Sequence, residues 1–564
     1  MLKNKAVMIG AGIANMAAAV YLIQEGHWRG EDITFYALDL HGANDGAAAS
    51  VAAEQYWNKN HPMENTKGYV ARGGRMLNYR TYVDLMDLLD RIPSVTEPGM
   101  TAAEDTRDFD SKHRTFDKAR LMQGGKGIID GHKLGLNNLD RMLLTRLIML
   151  PDDKEEELDN VSIAEYFKDD SHMFQTNFWY MWETTFAFRV ESSAQELRRY
   201  MHQMIYEFTQ IEHLVGVNRT RYNQFESIML PLIKYLEGQG CKFVMNSRVE
   251  AFDFKETSMQ DEITVTGLEI LDTATNEKKH VAIASDTAVF FTNGSITDSA
   301  SLGDFNTPAP ENMDYGAASS LWKQATQHFY NLGNPDKFFA DRNASEWVSF
   351  TLTTKDHLLL NEITRITTQL PGNALNSFLS TEPITPLGHE DVNMSIVVHH
   401  QPHFTTQKPN ETVLWGYFLY PRRRGEFVDK QYIKMTGKEM LQELIGQLSK
   451  VDPGPVNIKE KEAAIMDSVI NCIPVYMPYA SALFNNRAKS DRPEVIPEHS
   501  TNLAFTGEFV EQPYQMVFTE QSAVRSGEIA AFHFAGVPMS KLVKTPRYDK
   551  DPRVLMRAAK RMFE

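Results

Sequence analysis

The first forty residues switch between two periods of apolar and polar positions. Lys5–Ile9 is a short apolar run that predicts a β-strand, and residues 10–22 place their apolar side chains near one helical face. Residues 33–37 predict the next strand. A strand, a helix and a second strand in this order predict the βαβ unit that opens a doubly wound sheet.

The rest of the chain divides into segments by the same criterion. Residues 81–240 mostly have the i, i+3, i+4 apolar spacing of helices, whereas residues 245–295 are β-rich. A polar stretch with prolines near 300–320 is a candidate boundary, and residues 320–480 are mixed. Residues 495–535 return to a strand, a turn with a glycine at 507, and a helix.

The dinucleotide-type unit is therefore predicted to be split along the chain, as in large flavoproteins, which is an analogy at the level of fold. The predicted class is α/β, with a FAD-binding doubly wound (Rossmann-type) core, inserted mixed and helical substrate-binding domains, and a C-terminal helical tail. We expect the core at 1–80, 221–300 and 481–540, a helical substrate or lid region at 81–220, a mixed domain at 301–480 and the tail at 541–564.

Composition narrows the function classes. The 564 residues have a net charge of −16, which argues against general nucleic-acid binding. Two cysteines without metal-type spacing argue against a disulfide scaffold or a zinc site and favour a reducing cytoplasm. The N-terminal run imitates a signal peptide, but the second β-like run that follows favours strand–helix–strand. No run of about 18 purely apolar residues predicts a membrane span.

The glycines of GAGIAN, residues 10–15, lie where the first predicted strand passes into a helix. Gly10 allows a tight turn, and Gly12 lets a pyrophosphate approach the helix N-terminus. Ala14 lies in the same turn, and Asn15 at the third fingerprint position should loosen the packing of helix on strand slightly. This context favours dinucleotide binding over a plain glycine turn.

Two further segments are candidates for cofactor contacts. Asp39 follows the second strand and would reach a ribose, although a solvated loop aspartate is an equally good interpretation. Asn293, Gly294 and Ser295 follow the strand TAVFF, where a second contact belongs in such folds. The alternative is an ordinary Asn-Gly turn.

The segment ARGGRMLN, residues 71–78, predicts a loop that holds an anionic ligand. Gly73 and Gly74 let the backbone come close to a bulky ligand, and Arg72 and Arg75 suit phosphate or carboxylate groups. Met76 follows, and its apolar side chain cannot move a proton. The loop by itself leaves open which residue would act as acid or base.

Three histidines lie close together in HHQPHF: His399, His400 and His403. The preceding MSIVVHH alternates like a strand, which predicts that His399 and His400 point to opposite faces. Since no carboxylate lies nearby at ligand spacing, we expect no metal. Contact with the anionic end of a ligand is the favoured interpretation, and a buried core histidine is the alternative.

Taken together, these segments resemble the oleate hydratase family, also called myosin-cross-reactive antigens. Its members bind FAD and add water to the cis double bond of free unsaturated fatty acids such as oleate. The resemblance implies this hydro-lyase activity, with no net redox change. The matching stretches follow one another along almost the whole chain: GAGIANMAA, YVARGGRMLNY, FWYMWETTFAF, ELRRYMHQM, TRYNQFESIMLPL, VFFTNGSITDSASLGD, HHQPHF, IPVYMPYASALF, SDRPEVIP and NLAFTGEFVEQP…VFTEQS.

The resemblance also implies roles for single residues. The family has a glutamate after GGR that polarises the attacking water, and this chain has Met76 there, which places it in a subgroup without that carboxylate. Tyr200 matches the tyrosine that protonates the alkene. The residues that hold the fatty-acid carboxylate correspond to Val397, His399 and His403, of which two differ from the family. Further expected contacts are Asn78 at the catalytic site, Gln401 at the substrate, and Val249, Glu508, Thr519 and Ser522 at FAD.

Two other functions stay open at this point. The first is a flavin-dependent isomerase or oxidoreductase that acts on a fatty acid or another amphiphile. The second is a non-catalytic, lipid-binding flavoprotein. For any of the three we expect a cytoplasmic monomer or homodimer.

The tail at 541–564 carries eight basic and three acidic residues in an otherwise acidic chain. After Pro552, one helical face is apolar, with Val554, Leu555, Ala558, Met562 and Phe563. The basic residues gather on and beside the opposite face: Arg553, Arg557, Lys560 and Arg561. This pattern predicts either a helix that lies on an anionic membrane surface or a helix docked on the protein's own acidic body.

Overall fold

The computed structural model describes residues 3–40, 50–52, 65–73, 76–168, 172–256, 262–311, 315–368, 375–380 and 394–564, with only the backbone for 50–52 and 375–380. The strands are β1 (Lys5–Ile9), β2 (Ile33–Tyr36), β3 (Ser50–Ala52), β4 (Tyr69–Ala71), β5 (Leu121–Gln123), β6 (Gly127–Ile128), β7 (Lys242–Val244), β8 (Ser247–Phe254), β9 (Val265–Asp272), β10 (Glu277–Ala282), β11 (Thr287–Thr292), β12 (Ser301–Leu302), β13 (Trp347–Thr354), β14 (Leu375–Ser380), β15 (Met394–Val398), β16 (Thr412–Phe418), β17 (Val469–Met477) and β18 (Leu503–Thr506).

The α-helices of the described chain are α1 (Ile13–Gln24), α2 (Val83–Asp90), α3 (Ala102–Lys112), α4 (Asn138–Met149), α5 (Ile163–Phe167), α6 (Asn177–Phe186), α7 (Ala194–Gln203), α8 (Leu230–Gly238), α9 (Ala317–Thr326), α10 (Asp336–Phe339), α11 (Leu358–Thr367), α12 (Gly437–Val451), α13 (Glu462–Ser468), α14 (Glu520–Ala535) and α15 (Pro552–Met562). None of them is both long and apolar enough to cross a bilayer.

A parallel sheet forms the core, with strand order β18–β11–β1–β2–β7 and every neighbouring pair parallel. The predicted strands at 5–9 and 33–37 and the helix at 10–22 correspond to β1, β2 and α1. The predicted return near residue 507 corresponds to β18 and α14, and β18 joins the same sheet. The predicted α/β class with a doubly wound parallel core is thereby confirmed.

Helix α1 packs closely against α14, because Gly527 lies directly on the α1 backbone. A Cβ atom at Gly527 would lie 2.1 Å from the carbonyl oxygen of Ala14. The expectation that Asn15 loosens this region is wrong. Asn15 is fully buried, and its side-chain nitrogen donates hydrogen bonds to the carbonyls of Ile9 and Gly10 at 3.0 and 2.9 Å, so the amide ties the helix to the strand end.

A second, eight-stranded sheet has the order β12–β17–β13–β16–β15–β14–β5–β6. It is antiparallel except for the pair β14 and β5. Its outer strands β5 and β6 come from the otherwise helical region 81–220. A small antiparallel sheet, β10–β9–β8, accounts for most of the β-rich segment at 245–295.

Alternate residues of β15 and β16 face two different hydrophobic cores, one on each side of the second sheet. Val397 and Trp415 lie in the core shared with the parallel sheet, whereas Ile396, Val398 and Leu414 lie in the core under α11–α13. Side chains of successive strand residues point to opposite faces, so this division follows from the alternation itself. The face that carries Val397 and Trp415 borders the cavity described below.

Two predicted elements end earlier than their patterns indicate. The helical spacing at 193–208 predicts one helix, but α7 ends at Gln203, and a 3-10 helix follows at Glu207–Gln210. The strand pattern of MSIVVHH stops at Val398, where β15 ends. The two histidines that follow lie outside the strand, so its alternation does not direct their side chains to opposite faces.

Candidate active site

A large cavity lies between the helical region and the second sheet. It comprises about 1170 Å³, including the part that is open to solvent, and most of its walls are apolar. Residues from the 72–78 loop, α6, α7, the turn at 214–217 and strands of the second sheet line it.

One helical face supplies a wall of this cavity. Its residues are spaced i, i+4, i+7, i+8 and i+11, the spacing of a single helical stripe: Tyr200, Met204, Glu207, Phe208 and Ile211. Backbone hydrogen bonds from Met204 N to Tyr200 O and from Glu207 N to Met204 O carry the turn beyond the end of α7. A phenol and a carboxylate therefore lie on the same wall.

Tyr200 is enclosed on all sides except the cavity. Its hydroxyl donates a hydrogen bond to the carbonyl oxygen of Val517 at 2.7 Å, and three phenylalanine rings meet it edge-on: Phe186, Phe188 and Phe484. Burial raises the pKa of Tyr200 well above its ordinary value. The phenol carries its proton at neutral pH, as the ordinary tyrosine pKa of about 10 already ensures.

The 72–78 loop reaches the cavity through Arg72, Gly73, Met76 and Asn78. The predicted contacts Gly74 and Arg75 lie outside the described residues. Arg72 is buried, whereas Met76 is only partly buried and offers the cavity an apolar surface. Within its described part, the loop brings no carboxylate to this site.

Asn78 is engaged in structural hydrogen bonds. Its side-chain oxygen accepts from the backbone nitrogens of Arg80 and Thr81 at 3.0 and 3.1 Å. Its side-chain nitrogen donates to Glu207 Oε1 and to the carbonyl oxygen of Gly216, both at 3.1 Å. An amide cannot act as acid or base at neutral pH, so Asn78 can only position its neighbours.

A smaller pocket of about 440 Å³, with more polar walls, lies beside the same loop. Gly73 lines both spaces, so the two are neighbours at this residue. The histidines predicted to meet an anionic group line this pocket together with Arg219. His399 and His403 stack with 3.8 Å between ring centroids, and Nε2 of buried His399 has no hydrogen-bond partner among the described residues.

The histidines and the arginine of this pocket differ in charge. Burial and His403 lower the pKa of His399 well below its usual range. Burial, followed by Arg219, lowers the pKa of His403 to about 3, although part of its ring faces the pocket. Burial and His113 lower the pKa of His400 to about 4. These rings are neutral at pH 7, and Arg219 brings positive charge to the pocket.

Two expectations for this segment need revision. His399 and His400 line the same pocket instead of opposite faces, because β15 has already ended. Gln401 does not line either space. Its nitrogen donates to the carbonyls of His399 and Val413, and its oxygen accepts from Gln407 and from Val413 N, so the amide holds the loop together.

The carboxyl ends of the parallel strands gather most of the predicted cofactor contacts. Gly10 follows β1, Asp39 follows β2, Asn293 follows β11 and Glu508 follows β18. In open α/β sheets this edge, at the crevice between strands, is where ligands bind. Four segments that are far apart in sequence thus meet at one edge, as the split unit predicts.

The geometry at this edge leaves space for a ligand. Gly10 has φ +91°, and a Cβ atom at Gly12, which caps α1, would meet nothing within 4 Å. Asn293 is fully buried, and its Oδ1 has no hydrogen-bond partner among the described residues. At Gly294 a Cβ atom would lie 2.8 Å from the Phe509 ring, so the glycine allows a close approach.

The remaining predicted cofactor contacts lie in different parts of the fold. Ser295 exchanges a hydrogen bond with Thr297 at 3.1 Å. Thr519 caps α14, and its hydroxyl accepts from Ser522 N at 3.2 Å. Val249 lies in β8, paired with Ile270 of β9, and is buried. Ala14, in the first turn of α1, is buried beneath α14.

Sequence reasoning missed Glu207 and Arg219. Its helical spacing from Tyr200 could have identified Glu207, but only on the assumption that helical turns continue past the end of α7. Arg219 directly precedes TRYNQF, a stretch that matched the family without any assigned role. Both residues reach their cavities from segments whose placement the tertiary fold decides.

These features define a class of α/β protein that has a Rossmann-type ligand-binding edge and a large apolar cavity beside it. A model of the MCRA family matches residues 3–532, and the chain belongs to that family. It is 80% identical over 564 residues to a linoleate hydratase of Lactiplantibacillus plantarum, covering 100% of this chain and 99% of that one. It is 33% identical over 540 residues to an oleate hydratase of Streptococcus pyogenes serotype M49 (strain NZ131), covering 94% and 85%.

Among solved structures, cyclohexylamine oxidase from Brevibacterium oxydans IH-35A aligns with a TM-score of 0.48 at 12% identity, over 95% of this chain and 99% of that one. An oxidoreductase from Methanosarcina mazei aligns with a TM-score of 0.47 at 12% identity, over 94% of this chain and all of that one.

Proposed function

We propose that this protein is a fatty acid hydratase that adds water across a cis double bond of a free unsaturated fatty acid and releases a hydroxy fatty acid. The observation that carries the proposal is the large apolar cavity with the phenol of Tyr200 in its wall. The two hydratase relatives support it, and they make linoleate and oleate the first substrates to test.

Hydration of an isolated alkene needs a proton donor on one side of the bond and a placed water on the other. Tyr200 would donate the proton to one carbon, and the water oxygen would bond to the next. The apolar walls exclude other nucleophiles from the carbocation that develops. A positioned acid typically contributes about 10²–10⁴-fold to the rate.

The polar pocket is proposed to hold the fatty-acid carboxylate. Arg219 would supply the charge, and the neutral imidazoles of His399 and His403 would supply hydrogen-bond donors. The unpartnered Nε2 of His399 supports this assignment, since a buried polar atom usually has a partner. The acyl chain would then pass the 72–78 loop into the apolar cavity, with Gly73 leaving space at the junction.

FAD is the cofactor proposed for the ligand edge. Gly10 and Gly12 would receive its pyrophosphate at the N-terminus of α1, and the free oxygen of Asn293 would accept one of its donors. Bound FAD would supply shape and electrostatics beside the double bond, because hydration transfers no electrons. Arg72, Ser295, Glu508, Thr519 and Ser522 complete the proposed contacts.

The tail is proposed to bring the enzyme to an anionic membrane, where its substrate dissolves. Helix α15 is docked on the protein through Val554, Ala558 and Met562, and Arg561 is buried with its guanidinium 3.3 Å from Glu212. Outward-facing residues still combine basic and apolar character: Arg553, Arg557, Lys560, Met556 and Phe563. Docking on the body and contact with a membrane thus use different faces of one helix.

The direct test is product analysis. Purified protein with FAD, a reductant and linoleate or oleate should form a product heavier by one water, detected by mass spectrometry. Omission of FAD should abolish the product. A product with a shifted or additional double bond would identify the isomerase or oxidoreductase alternative, and no product at all would identify a lipid-binding protein.

A further inference from the structure

The cavity carries a carboxylate that the 72–78 loop does not supply. We propose that Glu207 is the base that holds and deprotonates the attacking water, in place of the carboxylate missing at Met76. This rests on the proposed hydratase function and names a further catalytic residue for it. Three observations carry it: the cavity wall that Glu207 shares with Tyr200, the free oxygen of its carboxylate and the close fit of that carboxylate against Gly216.

Glu207 and Tyr200 line the same cavity from consecutive helical segments. Tyr200 lies in α7, Glu207 begins the 3-10 helix that follows, and Met204 between them lines the cavity as well. The phenol and the carboxylate therefore border the space in which both would act on one substrate.

The carboxylate of Glu207 is held by one oxygen only. Oε1 accepts from Asn78 Nδ2 at 3.1 Å and from the Arg80 guanidinium at 2.8 Å. Oε2 accepts no hydrogen bond from any residue in the described part of the chain. The side chain is 19% exposed, and the residue lines the cavity. One oxygen is thus oriented by the protein and the other is available to a water.

Gly216 makes room for this carboxylate. A Cβ atom at position 216 would lie 1.7 Å from Glu207 Oε2 and 2.0 Å from its Cδ. Gly216 has no positive φ, so its backbone does not itself require glycine. The absence of a side chain therefore serves the neighbouring carboxylate. The Gly216 carbonyl also accepts from Asn78, which links the turn, the loop and Glu207.

The proposed step balances in atoms and charge. Tyr200 gives a proton to one alkene carbon, and the water oxygen forms a bond to the other carbon. Glu207 takes the proton that the water releases. The phenolate and the carboxylic acid then return to their starting forms by proton exchange, so the net change is the addition of one water and no electrons are transferred.

A second carboxylate, Glu520, also lines the cavity. It belongs to the first turn of α14 and is not on the helical face of Tyr200. Glu207 is the better candidate because Asn78 and Arg80 hold one of its oxygens and no residue in the described part of the chain donates to the other. Glu520→Gln is therefore included as a competing variant.

The first experiment compares Glu207→Gln with the parent in linoleate hydration. Glutamine still accepts from Asn78 but cannot take a proton. We expect kcat to fall at least about 10²-fold, with KM, the bound flavin spectrum and the melting temperature unchanged. Glu237→Gln serves as the matched control, since Glu237 is an exposed carboxylate paired with Lys234 outside the cavity.

Two further variants separate catalysis from structure. Gly216→Ala should lower kcat by displacing the carboxylate without removing its charge. In the Glu207→Gln background, Met76→Glu should restore at least about tenfold of the lost rate, whereas Met76→Gln should restore none. A carboxylate that merely stabilised Asn78 would not be replaced from position 76.

The outcomes are distinct. If the parent is active and the kcat of Glu207→Gln is within threefold of the parent value, the proposal is overturned. A loss of rate in Glu520→Gln alone overturns it as well. A parent that forms no hydroxy fatty acid overturns the proposed function, and this assignment with it. A structural role of Glu207 would give a different set of results. The Glu207→Gln variant would lose flavin or melt at a lower temperature, each folded molecule would keep full activity, and Met76→Glu would rescue nothing.

Discussion

The hydroxyl of Tyr200 donates its hydrogen bond to the main-chain carbonyl of Val517, 317 residues further along the chain, at 2.7 Å. This bond joins α7, which forms a wall of the cavity, to the segment that leads into α14 of the parallel core. It also orients the phenol, so a substrate has to compete for the same hydrogen. The proposed proton donor is thus positioned by the part of the fold expected to bind the cofactor.

Replacement of Tyr200 by Phe tests the donor. The ring keeps its edge contacts with the surrounding phenylalanines, and the loss of one hydrogen bond costs about 1 kcal/mol of stability. We expect a folded protein with its flavin bound and a hydration rate lower by at least about 10²-fold. Rates within a few-fold of the parent, measured at saturating linoleate, would exclude Tyr200 as the acid.

Gly12→Val tests the cofactor edge. Because no protein atom lies within 4 Å of a Cβ atom at Gly12, the valine should fit the protein and leave its melting temperature without FAD unchanged. It should still abolish FAD binding, since the side chain occupies the space proposed for the pyrophosphate. Flavin titration by absorbance and fluorescence measures both proteins. Equal FAD affinity of the two would contradict the assignment.

The depressed pKa of His403 predicts a pH dependence of stability. The unfolded chain binds a proton at this histidine below about pH 6.5, whereas the folded chain, with a pKa of about 3, does not. The unfolded state therefore binds more protons, and the free energy of unfolding falls as the pH drops from 6.5 toward 3.

His403→Gln should remove that contribution. Between pH 6.5 and 5.0 the parent should lose on the order of 1–2 kcal/mol more stability than the variant. Urea denaturation of both proteins at a series of pH values provides the measurement. A variant that loses as much stability as the parent on acidification would mean that His403 is not buried in its neutral form.

Charge removal on α15 tests the membrane proposal without undocking the helix. The triple change of Arg553, Arg557 and Lys560 to Gln leaves the buried Val554, Ala558 and Met562 in place. Binding to vesicles that contain anionic lipid should weaken strongly, and parent binding should itself weaken with salt. The control is the same change at Lys234, Lys278 and Lys323. Equal sedimentation of all three proteins with vesicles would contradict a role for the tail.

The sequence alone determined the elements whose local pattern agrees with their final environment. The βαβ unit at the N-terminus, the returning strand and helix near residue 507 and the amphipathic tail were all predictable. In each, the apolar period and the glycine or polar residues at its ends act over a few neighbouring residues. The family motifs predicted Tyr200 and the histidines as substrate contacts, because long matching stretches follow one another in order along the chain.

Only the tertiary structure decided which side chains meet across the chain. Asn15 tightens its helix because Ile9 and Gly10 present carbonyls to it, and His399 and His400 share a pocket because β15 ends one residue before them. Glu207 faces the cavity because a helical path continues beyond α7 and Gly216 leaves it space. A carboxylate looks the same in the sequence whether it lies in solvent or in a cavity wall, since its surroundings come from segments far away in the chain.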